Sequence, residues 1–521
     1  MNRALLSIVW SLLAFTPSTS QYRGTDTLFR AGELIYFSSL ERKAIGDFLD
    51  GNPDYLAMIA AVNPGTNERE LELYRHWIDG IIAEIRGRKF NRLSHENKIG
   101  LIQKYVSRSL LINYNGKANF DNLFRNGEYN YFTAAALYAF ILDQLGIPCE
   151  IYELPTHIYL IAYPGDEKIR IETTKPGFQF FMFDYETREN FVDFIHSQGV
   201  IDDQTYKNVT TKDLFQQYYF ADYGLTIREM IGMLYLNSAV ELIMRDRLDD
   251  SYAQLEKAFM LYPCYKTQFM LLVRLNDYIL NMDYRNLAQL GYLIKASRLV
   301  DQGVDREVLE SYLEDIVDKI LVEEEDTEGF MYIYEYLLNY LRDEDLKENF
   351  TFHYLYERGK MEFLNAHYEK ALEYFESAYL LRPEDEATQD LLARSLGGYA
   401  LITSPGPVLE KINHYDTAFV KVTDEGVYLL VKMQTYLSLF GEAFQLQDQQ
   451  TGEQYMAAFE TLMDENPDSG VDRYLIGRSY SSAGIYYYRC GKLSESKQVL
   501  EKGLSYAPGN IDLKLKLATF R

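Results

Sequence analysis

The chain has 521 residues, too many for one ordinary core, so two to four domains are expected. Apolar residues at 47% and charged residues at 25% mark a globular chain and exclude a disordered one. Acidic side chains outnumber basic ones by 77 to 52, and the net charge of −25 excludes the basic footprint that nonspecific binding to nucleic acid or anionic membrane requires. The three cysteines, Cys149, Cys264 and Cys490, lie far apart, which excludes a disulfide framework and a cysteine-ligated zinc module and leaves mostly buried free thiols as the expectation.

The N-terminus reads as an address. Asn2 and Arg3 precede an apolar run from Ala4 to Phe15, too short to span a bilayer comfortably. Small residues at Ser18 and Ser20 then predict a secretory signal peptide over 1–20, cut after Ser20. No later stretch is apolar for long enough to predict a membrane span, so an exported protein, periplasmic or secreted, is expected. Asn208-Val-Thr and Asn349-Phe-Thr match glycosylation sequons, which matter only in a eukaryotic host.

Residues 21–94 are expected to form an N-terminal helical segment. Leu71, Leu73, Trp77, Ile78, Ile81, Ile82 and Ile85 recur near helical spacing and predict a helix over 68–85. Ser94 is a fitting N-cap for the next helix, through Ile99, Leu101, Ile102 and Val106. From 95 to 225 the pattern becomes α+β. Tyr131 to Leu145 is apolar on nearly every face, which predicts a buried helix ended by Gly146-Ile-Pro148. Strands are expected over Ile151–Tyr163, Lys168–Thr173 and Phe178–Phe183, separated by Pro164-Gly165 and Pro176-Gly177.

From 226 to 521 the reading is helical and repetitive, with clear copies near 232–265, 352–385 and 477–510. The first is marked by Tyr235, Ala239, Leu255, Ala258 and Pro263. The second is marked by Leu355, Gly359, Ala371, Phe375, Ala378 and Pro383, and the third by Tyr480, Gly484, Tyr487, Gly491, Leu500, Gly503 and Pro508. Small residues serve where two helices approach, large ones fill the gap to the next pair, and proline ends the second helix. This is the spacing of the 34-residue tetratricopeptide pattern, an α-solenoid. Helices continue in degenerate form over 270–300, 306–322, 329–343 and 427–465. The acidic run 323–328 lacks calcium-loop spacing and reads as a solvated connection. Residues 402–426 break the helical pattern and read as an insertion.

The chemistry-bearing candidates are few. None of the seven histidines sits in a ligand cluster along the sequence, and no Walker A loop, dinucleotide fingerprint or Gly-x-Ser-x-Gly elbow occurs, so no metal or cofactor is expected. His157 falls in a strand-like run and Glu172 in the next one. A carboxylate beside a histidine fixes its tautomer and raises its basicity.

The order Tyr129-Asn-Tyr131-Phe-Thr133-Ala-Ala-Ala, Gly146-Ile-Pro148, Pro155-Thr-His157-Ile-Tyr-Leu160 and Ile171-Glu172-Thr-Thr174 resembles the core of the transglutaminase-like (papain-like) superfamily. More narrowly, the chain resembles bacterial exported proteins that couple such a domain to tetratricopeptide repeats. The resemblance implies a cysteine opening the helix, then the histidine and the acid of a catalytic triad at His157 and Glu172. Tyr131 stands where the family has its cysteine. A phenol with a pKa near about 10 yields little nucleophile at neutral pH, and its oxygen lies too far from the backbone to replace a thiol. Cys149 lies at the far end of the helix, about 27 Å away at about 1.5 Å per residue, and Thr133 offers no thiol.

The expected protein is therefore mainly α, with an α+β transglutaminase-like module that lacks catalytic residues, followed by the solenoid. The expected role is non-catalytic protein interaction or scaffolding, with a protein or peptide segment on the repeat surface and no nucleic acid. Two rivals are an acyl-transfer or hydrolase enzyme with an unconventional nucleophile and a peptide- or carbohydrate-binding module using the degenerate cleft.

Overall fold

The computed structural model describes residues 28–154, 157–173, 185–220 and 223–520. The expected signal peptide over 1–20 and the expected strand Phe178–Phe183 lie outside the described residues. The protein is mainly α-helical. It divides between Leu309 and Glu310 into two compact units, each described here by itself. Among the described residues, no helix is long and apolar enough to cross a membrane.

The first unit opens with α1 (Ser39–Leu49), α2 (Tyr55–Ala61) and α3 (Glu68–Gly87). An Asn67–Glu70 capping box starts α3. Its buried stripe is Leu71, Tyr74, Ile78, Ile81, Ile82 and Ile85. Leu73 and Trp77, which the spacing assigned to that stripe, are instead about half exposed, because the stripe is narrower than the run of apolar letters. Ser94 caps α4 (His95–Ser109) as expected.

A two-residue parallel pair follows, β1 (Asn113–Tyr114) with β2 (Glu128–Tyr129), around the short α5 (Asn122–Arg125). Then comes α6 (Tyr131–Gln144), whose residues from Thr133 to Leu142 are all buried. It packs on the sheet, on α2 and on a later helix, which is why no face of it is polar. The expected single strand Ile151–Tyr163 is two strands: β3 (Cys149–Leu154) and β4 (His157–Ala162) pair antiparallel with Leu154 opposite His157. β5 (Ile169–Glu172) completes the sheet, with Tyr159 opposite Glu172. The run holds Glu153 and Pro155, and a proline interrupts a strand ladder because it has no amide to donate.

The remaining helices of this unit are α7 (Tyr185–Ser197), α8 (Asp203–Asn208), α9 (Thr211–Tyr219), α10 (Ile227–Met244), α11 (Leu248–Leu261), α12 (Tyr265–Leu280) and α13 (Leu287–Ser297). Two buried lysine–carboxylate pairs lie within it: Lys257 Nζ donates to Glu41 Oε1 at 2.5 Å and Lys266 Nζ to Glu153 Oε2 at 2.6 Å.

The unit boundary falls in α14 (Arg306–Ile316), which continues as a π-helical turn, Val317–Glu323. The acidic run then supplies a cap: Asp326 accepts the amide of Gly329 at the start of α15 (Thr327–Tyr340). Next are α16 (Glu344–Leu364), α17 (Tyr368–Leu381), α18 (Glu386–Ile402), α19 (Pro405–Ala418), α20 (Gly426–Gln445), α21 (Gln449–Glu465), α22 (Arg473–Arg489), α23 (Leu493–Tyr506) and α24 (Ile511–Ala518). The 402–426 stretch is thus no irregular insertion. Its prolines occupy the first turn of α19, where no amide is needed, and Val408, Ile412 and Tyr415 bury its face. The sequon Asn349 is engaged on both sides, by Glu310 and by Arg382.

Each expected repeat copy is an antiparallel helical hairpin: α10–α11, α16–α17 and α22–α23. Pro263, Pro383 and Pro508 each stand two residues past the end of the second helix. The small residues sit at the crossings. A Cβ on Gly359 would lie 2.7 Å from the Phe375 ring, one on Gly484 2.6 Å from Leu500, and one on Gly503 2.6 Å from Tyr480. The hairpin α20–α21 has the same intervals, at Ala443, Phe459 and Pro467, and was hidden inside the undivided 427–465 expectation. Gln447, in a left-handed conformation at φ 67°, makes the break between its helices.

Candidate functional site

The candidate site lies at the start of α6. Asn130 caps this helix: its side chain accepts the Thr133 amide at 2.9 Å, and Thr133 Oγ1 accepts the Asn130 amide at 2.9 Å. Thr133 is buried and committed to this box. Tyr131 is the first helical residue, and its ring packs against Phe132. Burial pushes its phenol above the ordinary range, and the nearby Tyr114 hydroxyl and Glu153 carboxylate add to the shift. The phenolate is therefore even scarcer than in a free tyrosine.

His157 opens β4. The pleat sends Ile158, Leu160 and Ala162 into the core and leaves His157 and Tyr159 on the other face. Glu172 lies opposite Tyr159, hence diagonal to His157 on the same face. His157 Nε2 and Glu172 Oε2 are 2.5 Å apart. The same carboxylate is shared: Arg170 Nε meets Glu172 Oε1 at 2.6 Å, while the Arg170 guanidinium lies 4.0 Å over the Tyr159 ring. Tyr159 in turn stacks on Tyr152. Histidine, acid, arginine and two tyrosines thus form one polar array on this sheet face.

Tyr131 and His157 line a common cavity of about 120 Å³, together with Phe132, Leu154, Tyr219, Met233, Leu236 and Asn237. Glu153 and Lys266 also line it. Their ion pair is almost fully buried, and the ammonium lies 5.0 Å over the Tyr219 ring and 5.4 Å over the Tyr262 ring. Sequence reasoning missed this pair. The available signal was Glu153 itself, which falls on the β3 face of buried Ile151, where an unpartnered charge would be prohibitive. Lys266 comes from α12, more than a hundred residues away, so the partner was not readable.

Cys149 opens β3 beyond the opposite end of α6 and plays no part in this cavity. Burial, reinforced by Asp143 and Glu150, pushes its thiol up to about 12. All three cysteines are free, but Cys149 and Cys264 are only half-buried and Cys490 is exposed at the end of α22, which corrects the expectation of mostly buried thiols. It follows the last turn of a helix whose polar side faces water.

The arrangement offers an oriented histidine, a phenol and a buried ion pair around a small chamber. It offers no thiol. No known protein-family model matches the chain, and comparison with curated proteins finds no significant match.

Proposed function

We propose that this is an exported, non-catalytic interaction protein. In this reading residues 95–225 are a transglutaminase-like domain without its nucleophile, and the helical hairpins are tetratricopeptide repeats that present a surface to a protein or peptide segment. The observation that carries the reading is Tyr131 at the first position of α6. It lines the same cavity as His157, in the place where the resemblance requires a thiolate. A helix N-terminus favours a thiolate by its dipole, whereas a buried phenol stays protonated there. The glycine crossings and the prolines after each second helix support the repeat half of the proposal.

Turnover assays on amide and ester substrates test it. The natural chain is expected to be inactive. Tyr131→Cys should create a thiol reactive near neutral pH, and that reactivity should fall in a Tyr131→Cys/His157→Ala double variant. Turnover by the natural chain that His157→Ala abolishes would refute the non-catalytic reading.

The cavity itself favours a second reading, a binding cleft. At about 120 Å³ it admits a guest the size of one side chain. The Lys266–Glu153 pair on its wall would meet the guest's polar end.

A further inference from the structure

We propose that His95, Asp166 and Glu167 form a binding site for a divalent transition-metal ion, zinc being the best match. The site is separate from the His157–Glu172 array, and the proposal does not depend on the reading of that array. Three acceptors converge here from two distant parts of the chain. His95 is the first residue of α4, and its ring is held flat against Tyr163, with centroids 3.8 Å apart and planes at 16°. Asp166 and Glu167 belong to the reversal between β4 and β5. That reversal is fixed by left-handed residues at Tyr163 and Lys168 and by the Asp166 and Lys168 amides, which both donate to the Tyr163 carbonyl.

His95 Nδ1 lies 3.6 Å from Asp166 Oδ2 and 3.7 Å from Glu167 Oε1. Both separations are too long for hydrogen bonds. Nδ1 is sealed from solvent and has no hydrogen-bond partner. One ligand atom from each residue lies within 4.8 Å of the other two. An ion about 2.0–2.2 Å from each of three ligands at tetrahedral angles holds those ligands about 3.3–3.6 Å apart. The observed spacing is close to that of a bridged set. A sealed imidazole nitrogen facing two anionic oxygens leaves room suited to a cation between them, since a proton at 3.6–3.7 Å would reach neither carboxylate well. One imidazole and two carboxylates suit zinc and related ions better than calcium, which takes oxygen ligands throughout. Asp166 and Glu167 are exposed on their outer sides, so further coordination positions are open to water.

A second His–acid cluster among the described residues, Asp318–His353–Glu357, is a fitting control. There His353 Nε2 already bonds Asp318 at 3.0 Å, and Glu357 is paired with Lys360 at 2.6 Å.

The test is a zinc titration of the tag-free, chelator-stripped full-length chain against a competing chromogenic chelator. A single saturable site is expected. His95→Gln, which keeps the side-chain bulk, and Asp166→Asn/Glu167→Gln should each weaken it by about tenfold or more, the scale on which losses at metal sites are felt. His353→Ala should leave it unchanged. Zinc should raise the melting temperature of the natural chain and not that of His95→Gln, which separates lost binding from lost folding. The proposal is overturned by an absence of saturable uptake, by uptake that survives in His95→Gln, or by uptake lost in His353→Ala.

Discussion

One substitution, glycine to alanine, should act with opposite signs at a close helix crossing of the second unit and at an open helix position of the first. Gly359 lies mid-helix in α16, and a Cβ there would sit 2.7–2.9 Å from three atoms of the Phe375 ring. Phe375 is fully buried among Ala371, Leu372 and Leu392, so the ring cannot swing into solvent. Overpacking of this kind costs about 1–3 kcal/mol, while replacing a mid-helix glycine by alanine returns about 1 kcal/mol. With the neighbour immobile the clash offsets the propensity gain, and Gly359→Ala should destabilise by up to about 2 kcal/mol. A unit of about 200 residues then loses up to about 8 °C in melting temperature. Gly80, exposed in α3 with nothing within 4 Å of its Cβ position, has only the propensity gain and should be stabilised by about 0.5–1 kcal/mol. Urea unfolding followed by circular dichroism reads both, with the two units' transitions fitted separately. A Gly359→Ala variant stabilised as much as Gly80→Ala would refute the close α16–α17 crossing.

Further outcomes follow from the buried charges and the thiols. Glu41→Gln removes the carboxylate bonded to the Lys257 ammonium, where burial already lowers its affinity for a proton and the Ile35 carbonyl remains as acceptor, and should cost about 3 kcal/mol. Glu41→Gln/Lys257→Met should recover most of that loss, and a small Glu41→Gln effect would show that the pair is not buried. A thiol reagent on the native chain at pH 8 should label Cys490 quickly. Cys149, with its thiol pushed up to about 12, holds about one thiolate in ten thousand at that pH and should react only slowly. Its labelling should rise about tenfold per pH unit towards that value. Equal rates at the two cysteines would contradict the burial of Cys149.

Local signals in the sequence determined the parts that depend on near neighbours. The Ser94 cap, the wholly apolar α6, and the hairpins with glycine at the crossing and proline after the second helix were all legible, because capping, burial on every face and helix termination act within a few residues. So was the meeting of His157 with Glu172, since neighbouring antiparallel strands bring alternate residues together on one face. Only the tertiary structure decided the rest. It split 151–163 into the paired β3 and β4, because a single proline in a strand-like stretch fits an edge strand as well as a break. It turned the proline-bearing 402–426 into α19, because proline is harmless in a first turn. It also brought Lys266 to Glu153, and His95 to Asp166 and Glu167, across separations that no periodicity spans. A charged residue's partner is chosen by packing between distant elements, so the sequence could reveal that Glu153 needed a cation without revealing which one.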